Sequence, residues 1–258
     1  MKILGLFKKH YIITIIVLCI SIGIIFHFSG IIFYGLIKGL ITSIIILIIS
    51  KIIGCFNTLG FRRQNFFNGL LFGFPALIPG LYVLILSFTN IPSTGFSKPN
   101  YFFAAIFFLF LISSAIFEEL LMRGIILNIL IRNCKSKLRA IIISSTIFGF
   151  SHLYGNIANG RIEITLADIS QLLYTPVMGI FFSIIYLKYG NIWVIILIHL
   201  LFNVMSMGPF ALFSSMNDFI SLHSLKYVAT MDLMVALIFL IYSLHLYIKH
   251  MDEIESVA

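Results

Sequence analysis

The sequence predicts an all-α fold, a polytopic bundle of transmembrane helices with both termini on the cytoplasmic side. Of the 258 residues, 60% are hydrophobic and only 10% are charged, whereas an ordinary soluble domain is about 25% charged. Mean hydropathy is +1.11. Apolar runs of about 20 residues, the length that crosses a bilayer as a helix, follow one another along the chain. These observations favour a single integral membrane domain over residues 1–258, with the lipid bilayer as its surroundings.

Turn-forming and basic residues divide the chain into about eight predicted spans, most of them close to the length that crosses the hydrocarbon core. The spans are 11–28, 31–50, 66–88, 101–131, 138–154, 170–187, 191–212 and 229–248. The first follows Lys8 and Lys9, but no Ala-x-Ala cleavage site comes after it, so we expect a retained helix. The fourth is too long for one perpendicular helix, so it must tilt, kink or begin at the interface.

The distribution of basic residues predicts the orientation. With the N-terminus inside and alternating spans, twelve basic residues fall on the cytoplasmic side and three outside, namely Lys98, Arg161 and Lys226. This scatter between apolar runs also argues against nucleic-acid binding, despite a formal charge of +8. The three cysteines show no CxxC spacing and indicate neither a metal site nor a disulfide. Richness in Ile, Phe, Lys and Asn favours a bacterial source, and hence a bacterial plasma membrane.

The fourth predicted span contains three charged residues, Glu118, Glu119 and Arg123. Each such charge costs about 2.5–3.5 kcal/mol near a bilayer centre, so a chain rarely keeps it there without a partner or a chemical role. Glu119 and Arg123 are four residues apart and share a helix face, so they can form an ion pair. Glu118 is rotated by about 100° from Glu119 and is free to face a cavity as a general base.

Two later spans carry polar groups at a similar depth. His152, one turn after Phe148, lies in the fifth span, and His199 and Asn203 share a face of the seventh. At about 1.5 Å per residue from the cytoplasmic ends, Glu118, His152 and Asn203 lie about 20 Å deep. His199 lies about 13 Å deep on the same scale. Three helices therefore bring polar side chains to overlapping depths.

This combination of side chains is suited to hydrolysis of a peptide bond. A carboxylate assisted by a histidine can deprotonate a water, and a second histidine with an asparagine amide can donate to the oxyanion. The same Glu118, His152 and His199 would also suit a divalent metal such as zinc with an open water position. The residues alone leave both possibilities open. No GxSxG, HExxH or GxGxxG motif occurs in the chain.

The three motifs together resemble the signature of the CPBP family, the CAAX prenyl proteases and bacteriocin-processing or immunity proteins also called Abi. The resemblance covers about residues 101–206. Its motifs are Glu118-Glu119-x-x-x-Arg123, Phe148-x-x-x-His152 and His199-x-x-x-Asn203. Similarity to this family implies an all-helical intramembrane endopeptidase. Residues 101–206 would be the catalytic core, 1–100 accessory helices, and 207–258 a loop with the last helix.

The resemblance also implies a role for each motif residue. Glu118 would be the general base, His152 would help to activate the water, and His199 and Asn203 would stabilise the oxyanion. Glu119, Arg123 and Phe148 would support the site. Members of the family are commonly described as metalloproteases, although a metal-free, glutamate-dependent mechanism is also argued for them. The substrate would be a peptide precursor or a membrane protein.

Two other functions use the same residues. A non-enzymatic immunity or scaffold protein would bind a peptide or a membrane partner without cleaving it. Such a protein has no need to keep costly charges in lipid, so the retained polar residues favour the enzyme. A small transporter with a proton-relay carboxylate is less favoured, because the two halves of the chain show no pair of broken helices.

Overall fold

The computed structural model describes residues 32–89, 101–158, 166–209 and 225–250, together with Ile15, Asp252 and Ile254. Throughout this part of the chain the regular structure is helical, which confirms the predicted all-α class. The α-helices are α1 (Ile32–Ile52), α2 (Phe66–Gly73), α3 (Leu77–Thr89), α4 (Tyr101–Glu119), α5 (Asn128–Asn133), α6 (Lys137–Ala158), α7 (Leu166–Tyr189), α8 (Ile192–Met207) and α9 (Leu225–Lys249). Two 3-10 turns, Phe56–Thr58 and Phe74–Ala76, and a π-helix, Leu120–Leu127, complete the set.

Several of these helices have the length and composition of membrane spans. Among the described residues, four stretches qualify: Gly35–Ile52, Phe66–Ile85, Tyr101–Asn133 and Asp168–Tyr189. Shorter apolar helices cover Ile192–Met207 and Val235–Lys249. The predicted first span, 11–28, lies outside the described residues except for Ile15. The full number of eight spans, the cytoplasmic termini and the three-part division of the chain therefore stay predictions.

Two of the predicted spans are interrupted by non-α turns. A 3-10 turn at Phe74–Ala76 separates α2 from α3, and it contains Pro75, which has no backbone N–H to donate to an α-helix. The long fourth span runs from α4 through the π-helix into α5. The π-helix is the wide turn with i→i+5 hydrogen bonds that proteins use mostly in short stretches near functional sites. The extra length of this span thus includes a local change of helix type.

The π-helix lies at the centre of the bundle. All eight of its residues are buried. Helix α1 packs along α4 and reaches the π-helix, while α6, α7 and α8 contact it from other sides. Helix α7 is in turn covered by α6 and α9, and α8 packs against α2, α3 and α4. The segment that carries Arg123 is therefore surrounded by protein rather than by lipid.

The loop between α1 and α2 docks on the tight turn between α7 and α8. Gly60 and Gly190 have φ angles of +77° and +59°, a backbone conformation open to glycine. A Cβ on Gly60 would overlap the carbonyl oxygen of Gly190, so the two turns can approach only without side chains there. The backbone N–H of Ile192 donates to the Gly60 carbonyl at 3.2 Å. Both turns thus depend on glycine.

Asn191 fixes this junction with its side chain. Its Oδ1 accepts from the backbone N–H of Trp193 at 3.0 Å and so caps the first turn of α8. Its Nδ2 donates to the carbonyls of Arg62 at 2.7 Å and Gln64 at 2.9 Å. The side chain is completely buried. One amide therefore orders both the start of α8, which carries His199, and the loop beside it.

Candidate active site

The ion pair predicted between Glu119 and Arg123 is present and buried. Nη1 of Arg123 lies 2.8 Å from Oε2 of Glu119 and donates a hydrogen bond to Oε1 at 3.0 Å. The two residues are 0% and 1% exposed. Nη2 donates to the carbonyl of Gly179 on α7 at 3.1 Å. Each charge compensates the other in a low dielectric, and the pair ties the π-helix to α7.

Two aromatic rings flank the guanidinium of Arg123. Its central carbon lies 5.0 Å from the ring centroid of Phe148 and 5.4 Å from that of Phe182. Both distances fall within the range of cation–π attraction. Phe148, on α6, is 4% exposed, in keeping with a packing position. The buried charge is therefore surrounded by aromatic faces and by its carboxylate partner.

His199 lies between the two carboxylates. Its Nδ1 is 2.7 Å from Oε1 of Glu119, a hydrogen-bond distance, although 80 residues separate the two in sequence. Its Nε2 is 3.8 Å from Oε2 of Glu118, which is close but too long for a hydrogen bond. The imidazole also packs against Phe148 and Phe182, at centroid distances of 6.3 and 5.6 Å. The ring orientation is thus fixed by the Glu119 carboxylate and by two neighbouring aromatic rings.

Glu118 is the more accessible of the two carboxylates, with its side chain 18% exposed. One of its oxygens, Oε1, accepts a hydrogen bond from the hydroxyl of Ser114 at 2.6 Å. Ser114 lies one turn earlier in α4, and the sequence analysis did not single it out. The only signal available was the four-residue spacing, which places serine and glutamate on one helix face. This hydroxyl orients the carboxylate and leaves Oε2 directed towards His199.

Among the described residues, His152 is linked to the site through Phe148. Its Nδ1 lies 3.0 Å from the Phe148 carbonyl oxygen, and its ring meets the Phe148 ring edge-on at 4.9 Å. Phe148 in turn touches His199. Between the described residues, no hydrogen bond or ion pair joins His152 to Glu118 or His199. The predicted assistance from His152 therefore corresponds to proximity across an aromatic ring rather than to direct contact.

Asn203 lies one turn after His199 on α8 and is partly exposed. Its backbone carbonyl accepts a bond from the hydroxyl of Ser206 at 3.4 Å. Its side chain makes no hydrogen bond with the described residues. The structure thus joins Glu118, Glu119, Arg123 and His199 in one network. Phe148 packs against Arg123 and His199, and His152 lies beyond it.

The predicted metal ligands do not form a ligand set in this geometry. Within the described ranges, no group of three His, Cys, Asp or Glu side chains is arranged to hold a metal ion. Of the predicted set of Glu118, His152 and His199, His199 has Nδ1 directed at Glu119, and His152 has Nδ1 directed at its own helix. A divalent metal such as zinc stays a prediction, and no chemical step is derived through one.

The fold and the site define a class, a helical membrane protein with a buried carboxylate–histidine centre. Residues 100–205 match the model of one family, described as Type II CAAX prenyl endopeptidase Rce1-like. The match covers somewhat less than half of the chain and confirms the resemblance to the CAAX protease family that the motifs predicted. No curated protein and no solved structure matches the chain. The family implies an intramembrane endopeptidase.

Proposed function

We propose that the protein hydrolyses a peptide bond of a membrane-associated peptide or protein by means of a water that Glu118 activates. The observation that carries this proposal is the buried network of Glu118, Glu119, Arg123 and His199 inside the region that matches the Rce1-like family. Buried ionic groups are costly, and they are retained where they pair or perform chemistry. Glu119, Arg123 and His199 are buried and are each bonded within this network. The Glu118 side chain is partly exposed.

The charges of this network support a particular protonation state. Two ionised carboxylates and one guanidinium leave one negative charge in excess, and a protonated His199 removes it. A neutral imidazole that donates through Nδ1 to Glu119 would have only a lone pair at Nε2. An imidazolium has an N–H at both nitrogens, so Nε2 can donate to an oxyanion. We therefore assign to Glu119 the role of holding His199 in its donating form.

The proposed reaction uses Glu118 first as a base and then as an acid. Its free oxygen takes a proton from water, with His152 polarising the same water, and the hydroxide adds to the scissile carbonyl. The oxygen of the tetrahedral intermediate accepts hydrogen bonds from Nε2–H of His199 and from the amide of Asn203. Collapse breaks the C–N bond, and Glu118 returns its proton to the leaving amine. Ser114 holds the carboxylate in one rotamer throughout.

The test is cleavage by purified protein in detergent of fluorogenic peptides, farnesylated and unmodified, that end in a CAAX sequence. Glu118→Gln keeps the shape of the side chain and removes the base, so we expect turnover to fall about 10²–10⁴-fold. Ser114→Ala should slow turnover about tenfold, equivalent to about 1.4 kcal/mol. The matched control is Ser113→Ala, because the Ser113 hydroxyl bonds its own helix, at the Phe110 carbonyl, and no other described residue. It should leave turnover unchanged.

Each outcome of this assay has a definite meaning. Wild-type turnover by Glu118→Gln contradicts the general-base assignment. Activity lost to a strong chelator and restored by zinc would move Glu118, His152 and His199 to ligand roles. Cleavage that persists under chelator would favour the metal-free mechanism. If folded wild-type protein binds these peptides and cleaves none, the immunity or scaffold function is favoured instead.

A further inference from the structure

The π-helix holds the charged residue on which the site depends, and something must maintain its unusual geometry. It begins directly after Glu119 and contains Arg123. A π-helix is rare, and it appears mostly as a single wide turn inside an α-helix. Six of the eight residues in Leu120–Leu127 are apolar, and the other two are Arg123 and Gly124. Side chains outside the segment also contact its backbone.

The side-chain amide of Asn128 bonds two backbone carbonyls of the π-helix. Its Nδ2 donates to the carbonyl of Arg123 at 2.8 Å and to that of Gly124 at 3.1 Å. The backbone N–H of Asn128 would serve Gly124 in an α-helix or Arg123 in a π-helix. It bonds the carbonyl of Ile125 instead. The side-chain amide thus provides a donor to two carbonyls of the buried π-helix, and a buried carbonyl is costly to leave unsatisfied.

The Asn128 amide is itself held by two other parts of the chain. Nδ2 also lies 3.1 Å from the hydroxyl oxygen of Tyr186 on α7, and that hydroxyl donates to the Thr58 carbonyl at 2.5 Å. The next loop residue, Leu59, is completely buried. Its Cδ2 would lie only 2.6 Å from a Cβ on Gly124, so it fits against the π-helix because residue 124 is glycine. The amide therefore joins the π-helix, α7 and the α1–α2 loop.

We propose that Asn128 is a positioning residue of the endopeptidase site: its amide fixes the π-helical turn, and the turn holds Arg123 where Arg123 aligns Glu119 and His199. This inference rests on the proposed function for its catalytic consequence, while its structural part stands without it. Asn128 touches none of the proposed reacting groups. Its effect passes through three contacts. The Asn128 amide bonds the Arg123 carbonyl at 2.8 Å, and the Arg123 side chain pairs with Glu119. Oε1 of Glu119 lies 2.7 Å from Nδ1 of His199.

The experiment compares Asn128→Asp with Asn133→Asp. Aspartate keeps the size of asparagine and loses both amide donors. Asn133 is the matched control, because its Nδ2 also donates to a carbonyl of its own helix, at Ile129 and 2.7 Å, but beyond the π-helix. Two readouts are measured in detergent: kcat and KM with the CAAX peptide, and hydrogen–deuterium exchange of the amides in residues 119–128.

For Asn128→Asp we expect kcat to fall at least tenfold with KM within twofold, and exchange in residues 119–128 to rise at least tenfold. Exchange in α7 should stay unchanged, and Asn133→Asp should resemble wild type in both readouts. Asn128→Gln keeps the donors and should recover a large part of kcat. If Asn128→Asp does not accumulate as folded protein, Asn128→Ala takes its place in both measurements.

Unchanged exchange in residues 119–128 overturns the inference, whatever the activity. Faster exchange throughout α6 and α7 also overturns it, because it would show a general loss of structure rather than a local release. If wild type cleaves no peptide, the proposed function fails at that step. The exchange readout still decides whether Asn128 maintains the π-helix, so the two failures are distinguishable.

Discussion

Removal of Arg123 should be the most destabilising single change at the site. In Arg123→Ala the carboxylate of Glu119 stays buried at 0% exposure and keeps only His199 as an ionic partner. The variant also loses the hydrogen bond to Gly179 and the contacts with Phe148 and Phe182. Breaking a buried pair from one side costs about 3–5 kcal/mol, because it leaves an uncompensated charge. At about 2–4 °C per kcal/mol, the thermal midpoint should fall by roughly 6–20 °C.

The assay for Arg123→Ala is thermal unfolding in detergent, followed with a thiol-reactive fluorogenic dye in a background where Cys19 and the partly exposed Cys134 are replaced by alanine. Cys55 is completely buried. Burial raises the pKa of its thiol above the ordinary value, and the nearby guanidinium of Arg132 offsets this only in part. The thiol is therefore protonated and shielded until the fold opens. The control is Arg139→Ala at an exposed position, which should change the free energy of unfolding by at most about 0.5 kcal/mol.

A double variant separates the ion pair from general packing. Glu119→Gln combined with Arg123→Met removes both charges and keeps side chains of similar length. Replacing a buried pair by uncharged groups is often close to neutral, so the double variant should be clearly more stable than Arg123→Ala. A stabilising role of the buried Arg123 charge is refuted if Arg123→Ala shifts the midpoint no more than Arg139→Ala does. It is also refuted if the double variant is no more stable than Arg123→Ala.

Two further changes test the packing that positions the site, both by the same unfolding measurement. Gly124→Ala brings a Cβ to 2.6 Å from Leu59 and should cost about 1–3 kcal/mol. Gly208→Ala is the control, because the atom nearest to its new Cβ is 3.6 Å away. It should leave the free energy of unfolding unchanged or raise it by about 0.5–1 kcal/mol. Equal effects of Gly124→Ala and Gly208→Ala would argue against the overlap with Leu59. Asn191→Ala loses the cap on Trp193 and two further bonds, so about 2–3 kcal/mol is expected. Asn191→Asp keeps the cap acceptor and should be intermediate; a midpoint equal to that of wild type for Asn191→Ala would contradict this role.

The helices were largely predictable because their signal is local. Apolar length predicted the sixth span at 170–187, and α7 covers Leu166–Tyr189. The Glu119–Arg123 pair was predictable for the same reason, since four residues make one helical turn. The π-helix was not, because its hydrogen bonds depend on Asn128 and on a loop about 65 residues earlier. An α-helix and a helix that contains a π-helical turn can have the same apolar pattern, so the pattern does not distinguish them.

The site was predictable as a set of residues but not as a set of contacts. Spacing assigned Glu118 to the cavity and Glu119 to the ion pair, and the structure agrees with the pair. It could not show that Glu119 also holds His199, because that contact joins residues 80 positions apart. The spacing also gave no reason to select Ser114, because serine is common in apolar helices. The role of Ser114 follows from its hydrogen bond to the Glu118 carboxylate, which becomes visible in the structure.

The docking of the α1–α2 loop has a consequence for how the chain is assembled. Its partners lie 128 and 129 residues apart, at Thr58 with Tyr186 and at Arg62 with Asn191. At about 5–20 residues per second, the loop emerges from the ribosome on the order of 10 s before the turn that it contacts. During that interval the loop lacks its bonds to Tyr186 and Asn191, and the Asn128 amide has no tyrosine hydroxyl to hold it. The reactive centre is therefore completed late in synthesis, so a protein with the proposed activity is inert while it is being inserted into the membrane.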